Sequence, residues 1–386
     1  MKKTVCKEKN CVGCNACVQI CCKDAVRIED HKYYLDAVID SARCVECGMC
    51  SKVCQQNTTP SYHHALAWYQ GWSNNEEIRI KSASGGIATA AAQFFLKKNY
   101  SVYACRFLDG KLIYQKVANE KQLVHFAGSK YVKSDTSTVY SEIKSELKAG
   151  TNVLFIGLPC HVQGLKLFLG DKLQEKLFTV DLICHGTPSF ALYKQYLEEK
   201  GVKPEFVSDV SFRQKTAYTA SYPKNFEYWN FPFLNGLTFT ENCYDCKFAC
   251  EDRISDITIG DSWGSELGID EKNKGISLII CNTEKGLGLI DSLDLHLEYV
   301  DIKKAQQSNR QLLHSTARPE NRKRFVKSLI KTDHYHKSIG ACYPKYIVKA
   351  ALKRTIIGSL LKKIRKNRNR SDYVKIECIE NVVLKD

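Results

Sequence analysis

Three observations predict an α/β protein, α+β overall, built in three parts. A cysteine pattern occurs twice within residues 11–54, apolar β-rich runs alternate with helical stretches further along, and a strongly basic stretch lies near the C-terminus. The expected parts are a small cysteine-rich domain at 1–59, an α/β domain in two portions at 60–155 and 156–335, and a helical tail at 336–386. With 386 residues there is room for two or three domains with real cores. The hydrophobic fraction of 44% and charged fraction of 26% are those of an ordinary soluble protein. The 19 cysteines are far too many for a cytosolic chain unless most serve metal. The start, MKKTVCKEKN, has positive charge but no apolar core behind it, unlike a signal peptide, and no apolar run approaches membrane-spanning length. A reducing, cytoplasmic setting is expected.

Cys11, Cys14, Cys17, Cys21 and then Cys44, Cys47, Cys50, Cys54 both read C-x2-C-x2-C-x3-C. That is the ligand spacing of bacterial ferredoxins carrying two [4Fe–4S] clusters, in which the fourth cysteine of each run crosses to the other cluster. The rule predicts one cluster on Cys11, Cys14, Cys17 and Cys54, and a second on Cys44, Cys47, Cys50 and Cys21. Tight spacing suits a cubane, because only a short looping backbone can aim three thiolates at iron corners a few ångströms apart. Zinc sites usually take two separated C-x2-C pairs, and disulfides require an oxidising compartment. The proline that normally follows the fourth cysteine is Cys22 in the first run and Gln55 in the second. Proline there is a turn device, so its loss is expected to alter the fit to the cluster more than binding itself.

Residues 56–60, QNTTP, form a polar, proline-ended joint and read as a boundary. Ser82-Ala83-Ser84-Gly85-Gly86-Ile87 then precedes the Ala-rich ATAAAQFFLKK, which favours helix. Ser84 can cap that helix, the glycines allow close approach to the backbone, and free N–H groups at its start suit a phosphate. SVYACRFL (101–108) has strand composition, and Gly128-Ser129-Lys130-Tyr131 is a second short motif. TNVLFIGLPC (151–160) reads as a buried strand entering a loop, with a helix at 161–169, and LFTVDLICHG (177–186) repeats the strand-then-loop plan. Cys160 and Cys184 therefore fall just past the C-terminal ends of strands, where open α/β sheets place their sites. Cys243 and Cys246 form a C-x2-C, which by itself is ambiguous between zinc, redox disulfide and cluster. With Cys160 and Cys184 the pair could complete a four-thiolate site, and spacing does not decide whether Cys250 replaces either member.

Together these segments resemble the coenzyme F420 hydrogenase/dehydrogenase beta-subunit family, with a two-cluster ferredoxin domain in front. The resemblance is carried by SASGGI (82–87), AGSKYVKSD (127–135), LFIGLPCHVQGLKLFL (154–169), VDLICHGTPS (180–189), SFRQK (211–215), CYDCKF (243–248) and SDITIGDSWG (255–264). It implies that the α/β domain is flavin-binding and holds FAD. Ser84, Gly85, Gly86, Ile87 and Thr89 match the first flavin stretch, and Gly128, Ser129, Lys130 and Tyr131 the second. It also implies a third [4Fe–4S] cluster on Cys160, Cys184, Cys243 and Cys246. The implied activity is that of an iron–sulfur flavoprotein oxidoreductase, passing electrons between a ferredoxin-like donor or acceptor, the clusters, FAD and a two-electron small-molecule substrate. That substrate would be F420-like or, by analogy with relatives in surface-polysaccharide clusters, sugar-linked. The alternative is a non-catalytic electron-transfer subunit feeding a partner enzyme.

No residue is assigned as catalytic. His161 and His185 directly follow two proposed ligands and could relay protons, but a histidine bonded to nearby backbone is the plainer reading. Arg213 and Lys215 serve equally as an anion site or a solvated basic loop. Asp256 and Asp261 read as turn caps before flavin contacts. The formal net charge of +15 owes most of its excess to Lys345–Arg370, where ten basic residues meet no acidic one. Wound as a helix with Ile347, Ile357, Leu361 and Ile364 on its apolar positions, this basic amphipathic tail would rest on an anionic membrane surface, bind an acidic partner or pack on its own domain. Peripheral placement at the inner membrane face is thus left open. Nucleic acid is not expected, since no recognition motif accompanies the charge.

Overall fold

The computed structural model of the chain describes residues 3–207, 212, 213, 215, 226–345 and 348. The tail positions Ile347, Ile357, Leu361 and Ile364 lie outside the described residues, as do Ser211 and Gln214 of the SFRQK segment.

Both cysteine runs fold by the same local device. Each adopts left-handed backbone at its third and fifth positions, Gly13 (φ 76°) and Asn15 (φ 56°) in the first, Glu46 (φ 55°) and Gly48 (φ 73°) in the second. Alternating hand curls the chain tightly, which turns successive thiols inward. A four-residue helix follows each curl, α1 (Ala16–Gln19) and α2 (Met49–Lys52). Between the runs β1 (Val26–Asp30) pairs antiparallel with β2 (Leu35–Ile39), Val26 opposite Ile39.

The remaining strands are β3 (Ala67–Ser73), β4 (Ser101–Leu108), β5 (Lys111–Lys116), β6 (Val153–Gly157), β7 (Leu177–Leu182), β8 (Ile257–Asp261), β9 (Ser277–Cys281) and β10 (Leu295–Tyr299). They form one sheet in the order β10-β3-β9-β8-β7-β6-β4-β5. Its centre, β4-β6-β7-β8, is parallel, and the flanking strands are antiparallel. The helices that position the site are α3 (Ile87–Lys97), α4 (Val139–Lys148), α5 (Pro159–Leu169), α6 (Phe190–Glu198), α7 (Glu284–Asp291), α8 (Arg322–Thr332) and α9 (Tyr335–Cys342). The two-residue period of β6 divides its side chains between two cores. Val153 and Phe155 pack with Ile143 of α4, Leu165 of α5 and Cys11, Cys14, Cys17 and Cys54, whereas Leu154 and Ile156 pack with Phe95 of α3 and Leu289 of α7. Each fully buried side chain of this kind contributes roughly 1.5–3 kcal/mol.

Within the described residues, the strands and helices expected ahead of the basic tail stand where the sequence put them, with β6 ending at Gly157 and β7 at Leu182. The sheet is mixed, because strands outside the parallel centre pair antiparallel on both flanks. One feature differs from expectation. The cap of α3 is Gly86 (φ 90°), without a side-chain hydrogen bond, and Ser84 Oγ instead donates to Ile276 O at 2.8 Å.

The ferredoxin-like unit is fastened to the sheet domain by charged and polar side chains. Lys133 Nζ donates to Val12 O (3.2 Å) and Thr136 Oγ1 to Cys14 O (2.9 Å). Lys247 Nζ donates to the carbonyls of Gln55 (3.2 Å), Gln56 (3.2 Å) and Thr58 (3.1 Å), so the polar joint expected after the second run is clamped. Gly164, inside α5, lets the two units pack tightly: a Cβ there would lie 2.9 Å from Cys14 Sγ.

Candidate functional site

The eight thiols of the two runs separate into two sets. Cys11, Cys14, Cys17 and Cys54 are buried, each less than 10% exposed. Burial pushes the Cys14 thiol up to about 12 and raises that of Cys17 well above its ordinary value, and in both the neighbouring thiols of the same set add to the shift. Cys50 is likewise raised, by burial first and then by Cys21, Cys44 and Cys47. Cys54 thus lies near cysteines of the first run and Cys21 near those of the second. Backbone N–H groups point at the sulfurs, Gly13 N to Cys11 Sγ (3.4 Å), Ala25 N to Cys21 Sγ (3.3 Å) and Glu46 N to Cys44 Sγ (3.4 Å). Thiols that oppose one another's ionisation in this way suit a cationic iron core, which deprotonates its ligands on binding. The outer set lies at the surface: Cys47 is exposed, and so are its neighbours Val45 (60%) and Met49 (41%).

Cys160, Cys184, Cys243 and Cys246 line one small cavity, together with Val12, Lys133 and Lys247. Cys160 sits in the first turn of α5 and Cys184 two residues past β7, both beyond the carboxyl ends of parallel strands. Burial raises Cys184 to about 12 and Cys246 to about 11, and Cys243 opposes ionisation of both. The donor set of four converging thiols therefore fits a cluster. Cys250 stands apart, its Sγ donating to Asp252 O (3.1 Å) on the wall of a different groove with Tyr62 and His64. Buried Arg253 fixes this loop to the sheet, donating from Nη1 to Phe248 O (2.6 Å) and from Nη2 to Asp181 Oδ1 (3.0 Å).

A larger cavity of about 300 Å³ opens over the C-terminal ends of β6, β7 and β8. Its size and its lining, apolar with a few polar groups, are those of a small-molecule site. Ser84, Gly86, Ile87, Thr89, Gly128, Ser129, Lys130 and Tyr131 all line it. Apolar Ile87, Val102, Ile156, Leu182 and Ile259 share the wall, which suits the flat ring system of a flavin. Gly85 does not reach the cavity; its N–H donates to Ser277 Oγ (3.0 Å), and a Cβ there would lie 2.4 Å from Gly71 O. Lys130 Nζ donates to the carbonyls of Phe126, Ala127 and Gly128, which ties the loop that forms the cavity rim.

Leu158, Cys184, His185, Gly186 and Thr187 line both cavities. The four-thiol site and the ring-sized site thus share a wall formed by the segments following β6 and β7.

The remaining candidates take structural parts. His161 Nδ1 pairs with Tyr114 OH at 2.9 Å, and burial, then Lys133, lower the imidazole to about 3, so it is neutral near pH 7. Arg213 is engaged by Asp261 in a two-pronged ion pair and donates to Ala83 O (2.7 Å) on the wall of the larger cavity. Lys215 donates to Arg79 O and Ser84 O, and burial lowers it to about 8. Asp256 accepts from Thr179 N and Oγ1 (both 2.8 Å) and from Thr283 Oγ1 (2.8 Å), bracing strands rather than capping a turn.

Four neighbours of the thiols escaped the motif reading. Cys6, outside both runs, hydrogen-bonds to Cys11 and Cys54, which raises its own pKa. Gln55, in place of the usual proline, is buried and sends Nε2 to Cys160 O, linking the end of the second run to the third thiol set. Lys133 and Gly164 are the others. Lys133 falls in AGSKYVKSD, Gly164 in LFIGLPCHVQGLKLFL and Gln55 directly after Cys54, but no spacing rule pairs them with sulfurs.

Residues 150–307 match the family model that describes the C-terminal part of the beta subunit of coenzyme F420 hydrogenase/dehydrogenase. This stretch belongs to that family. The family segment contains all four thiols of the third set. Over a longer span the chain is similar to the coenzyme F420-dependent sulfite reductase of Methanocaldococcus jannaschii, 23% identical over 311 residues, covering 74% of this chain and 46% of that protein. The chain thus spans about half the length of the curated relative it matches. It also aligns with a chain of the F420-reducing [NiFe] hydrogenase complex of Methanosarcina barkeri at a TM-score of 0.45 and 16% identity, covering 72% of this chain and 98% of that one.

Proposed function

We propose that the chain is an iron–sulfur flavoprotein oxidoreductase that passes electrons between a ferredoxin-like partner and a two-electron substrate. The wall common to the four-thiol cavity and the larger cavity carries this reading, because it sets a one-electron site directly beside a ring-sized one. When bound, [4Fe–4S] clusters would supply one-electron transfer and FAD the exchange between one- and two-electron chemistry.

Each part of the chain has a role on this reading. Cys44, Cys47, Cys50 and Cys21 would hold the cluster nearest solvent, where an external donor can reach it. Cys11, Cys14, Cys17 and Cys54 would hold the buried one, and α5 would carry electrons onward between the thiols, with Cys14 packed on Gly164 and Cys160 one turn earlier. Cys160, Cys184, Cys243 and Cys246 would hold the third. Residues 84–89 and 128–131 would enclose the flavin and exclude water. The Arg213–Asp261 pair holds the cavity wall and leaves little of either charge for an anionic substrate. The family description and the sulfite reductase relative favour a deazaflavin of the F420 type as the two-electron substrate.

Anaerobic purification followed by iron, sulfide and flavin analysis tests the cofactor set. About twelve irons and one FAD per chain are expected. About eight irons without flavin would leave a ferredoxin attached to an inert domain. Turnover by the isolated chain, with dithionite or reduced ferredoxin and F420 as acceptor, separates an enzyme from an electron-transfer subunit.

A further inference from the structure

We propose that Glu199, His334 and His336 form a binding site for a divalent transition ion, zinc by donor set, remote in function from the thiol sites. Glu199 closes α6, and the His-x-His pair opens α9. One ligand atom from each of the three residues lies within 4.8 Å of the other two. Glu199 Oε2 is 2.8 Å from His334 Nδ1 and 2.5 Å from His336 Nδ1.

The hydrogen bonding of this cluster is oversubscribed. Glu199 Oε2 also accepts from His336 N (2.9 Å), so three nitrogens crowd one carboxylate oxygen. His334 Nδ1 faces that oxygen and at the same time accepts the Lys337 N–H that it caps (3.5 Å). No single tautomer of His334 serves both contacts: a protonated Nδ1 cannot accept the cap, and a bare one sets a lone pair against the carboxylate. A cation between the imidazoles and the carboxylate takes both lone pairs, and the long capping bond is the one that gives way.

Two imidazoles and one carboxylate with an open fourth position is an established zinc donor set. The surroundings favour a fixed site over three mobile side chains. His336 stacks on Tyr196 of α6 (5.8 Å between centroids), Tyr196 packs edge-on to Tyr335 (5.4 Å), and Glu199 and His336 are largely buried. His334 is 37% exposed, which leaves one side of the site open to water or to a ligand from another molecule. The ion would clip α9, and with it the start of the C-terminal segment, to the sheet domain. This site involves none of the cluster thiols, so it stands or falls independently of the redox reading.

The test uses the tag-free holoprotein, purified anaerobically, incubated with ZnCl2 and desalted. Zinc is then counted by plasma mass spectrometry, with iron as the loading and folding control. The wild type is expected to retain about one zinc more than the His334→Asn/His336→Asn variant at unchanged iron content. Glu199→Gln, which keeps one acceptor oxygen for the N–H groups that open α9 and replaces the other with an NH2, is expected to bind zinc about tenfold or more weakly in calorimetric titration at unchanged iron content. Equal zinc in wild type and both variants, with iron retained, overturns the site.

Discussion

Lys133 lies on the wall of the third thiol cavity while its Nζ donates to the carbonyl of Val12, inside the first cysteine run. Burial works against its charge, yet Cys243, Cys160, Cys184 and Cys11 together hold its pKa above the ordinary lysine value. A buried cation shared by two thiolate sites stabilises the electron-rich state of whatever they bind. Lys133→Met is therefore expected to lower the midpoint potentials of the two neighbouring clusters, on the order of 60 mV, the tenfold step of a one-electron couple. Lys133→Arg should shift them far less. Potentiometric titration followed by electron paramagnetic resonance reads both, and identical potentials in wild type and Lys133→Met would remove the role. At this scale the sequence revealed the cysteines that the fold gathers but not their neighbours. Cysteine spacing is a local property of the backbone, so the nearness of Cys54 to the first run and of Cys21 to the second was readable in advance, whereas the approach of Lys133, Gln55 and Cys6 to the sulfurs depends on how the two domains close on each other.

Helix α5 joins what the sequence presented as separate units. Cys160 in its first turn and Gly164 one turn later lie on one face, and that face meets Cys14. Glycine inside a helix costs about 1 kcal/mol relative to alanine. Gly164→Ala would relieve that cost if the contact were slack. Because the added carbon would stand 2.9 Å from Cys14 Sγ, the substitution is instead expected to destabilise the protein by about 1–3 kcal/mol in urea titration. Stabilisation would show that the ferredoxin-like unit is held only loosely. The elements with strong apolar runs, β4, β6, β7 and α3, were legible because burial on both faces leaves a continuous β-rich or Ala-rich signature. The outer strands were not: β10 is only five residues long with no fully buried side chain, and β3 carries Gln70 and Gly71, so neither stands out without its partner. The capping error at Ser84 has a similar cause, since its hydroxyl is drawn away by Ile276 O on a segment nearly two hundred residues later.

Across the whole molecule the thiol sets run from the surface inward. The outer set reaches solvent beside Val45 and Met49, the inner set is buried against α5, and the third borders the larger cavity. On the proposed reading, exposed apolar side chains beside the outer thiols would suit brief docking of a small electron carrier, where modest apolar contact allows rapid release. Val45→Glu/Met49→Glu is expected to slow reduction by ferredoxin about tenfold or more while leaving reduction by dithionite unchanged. Stopped-flow absorbance measures both, and equal slowing with both reductants would point to a damaged cluster instead. Among the described residues no helix is long and apolar enough to cross a membrane. On the proposed cluster assignment, the same burial gradient would rank the metal centres by vulnerability to air. Oxygen would meet the iron held near Cys47 first and reach the interior last, so a preparation damaged by exposure would keep its flavin colour and most of its iron while having lost its electrical contact with the outside.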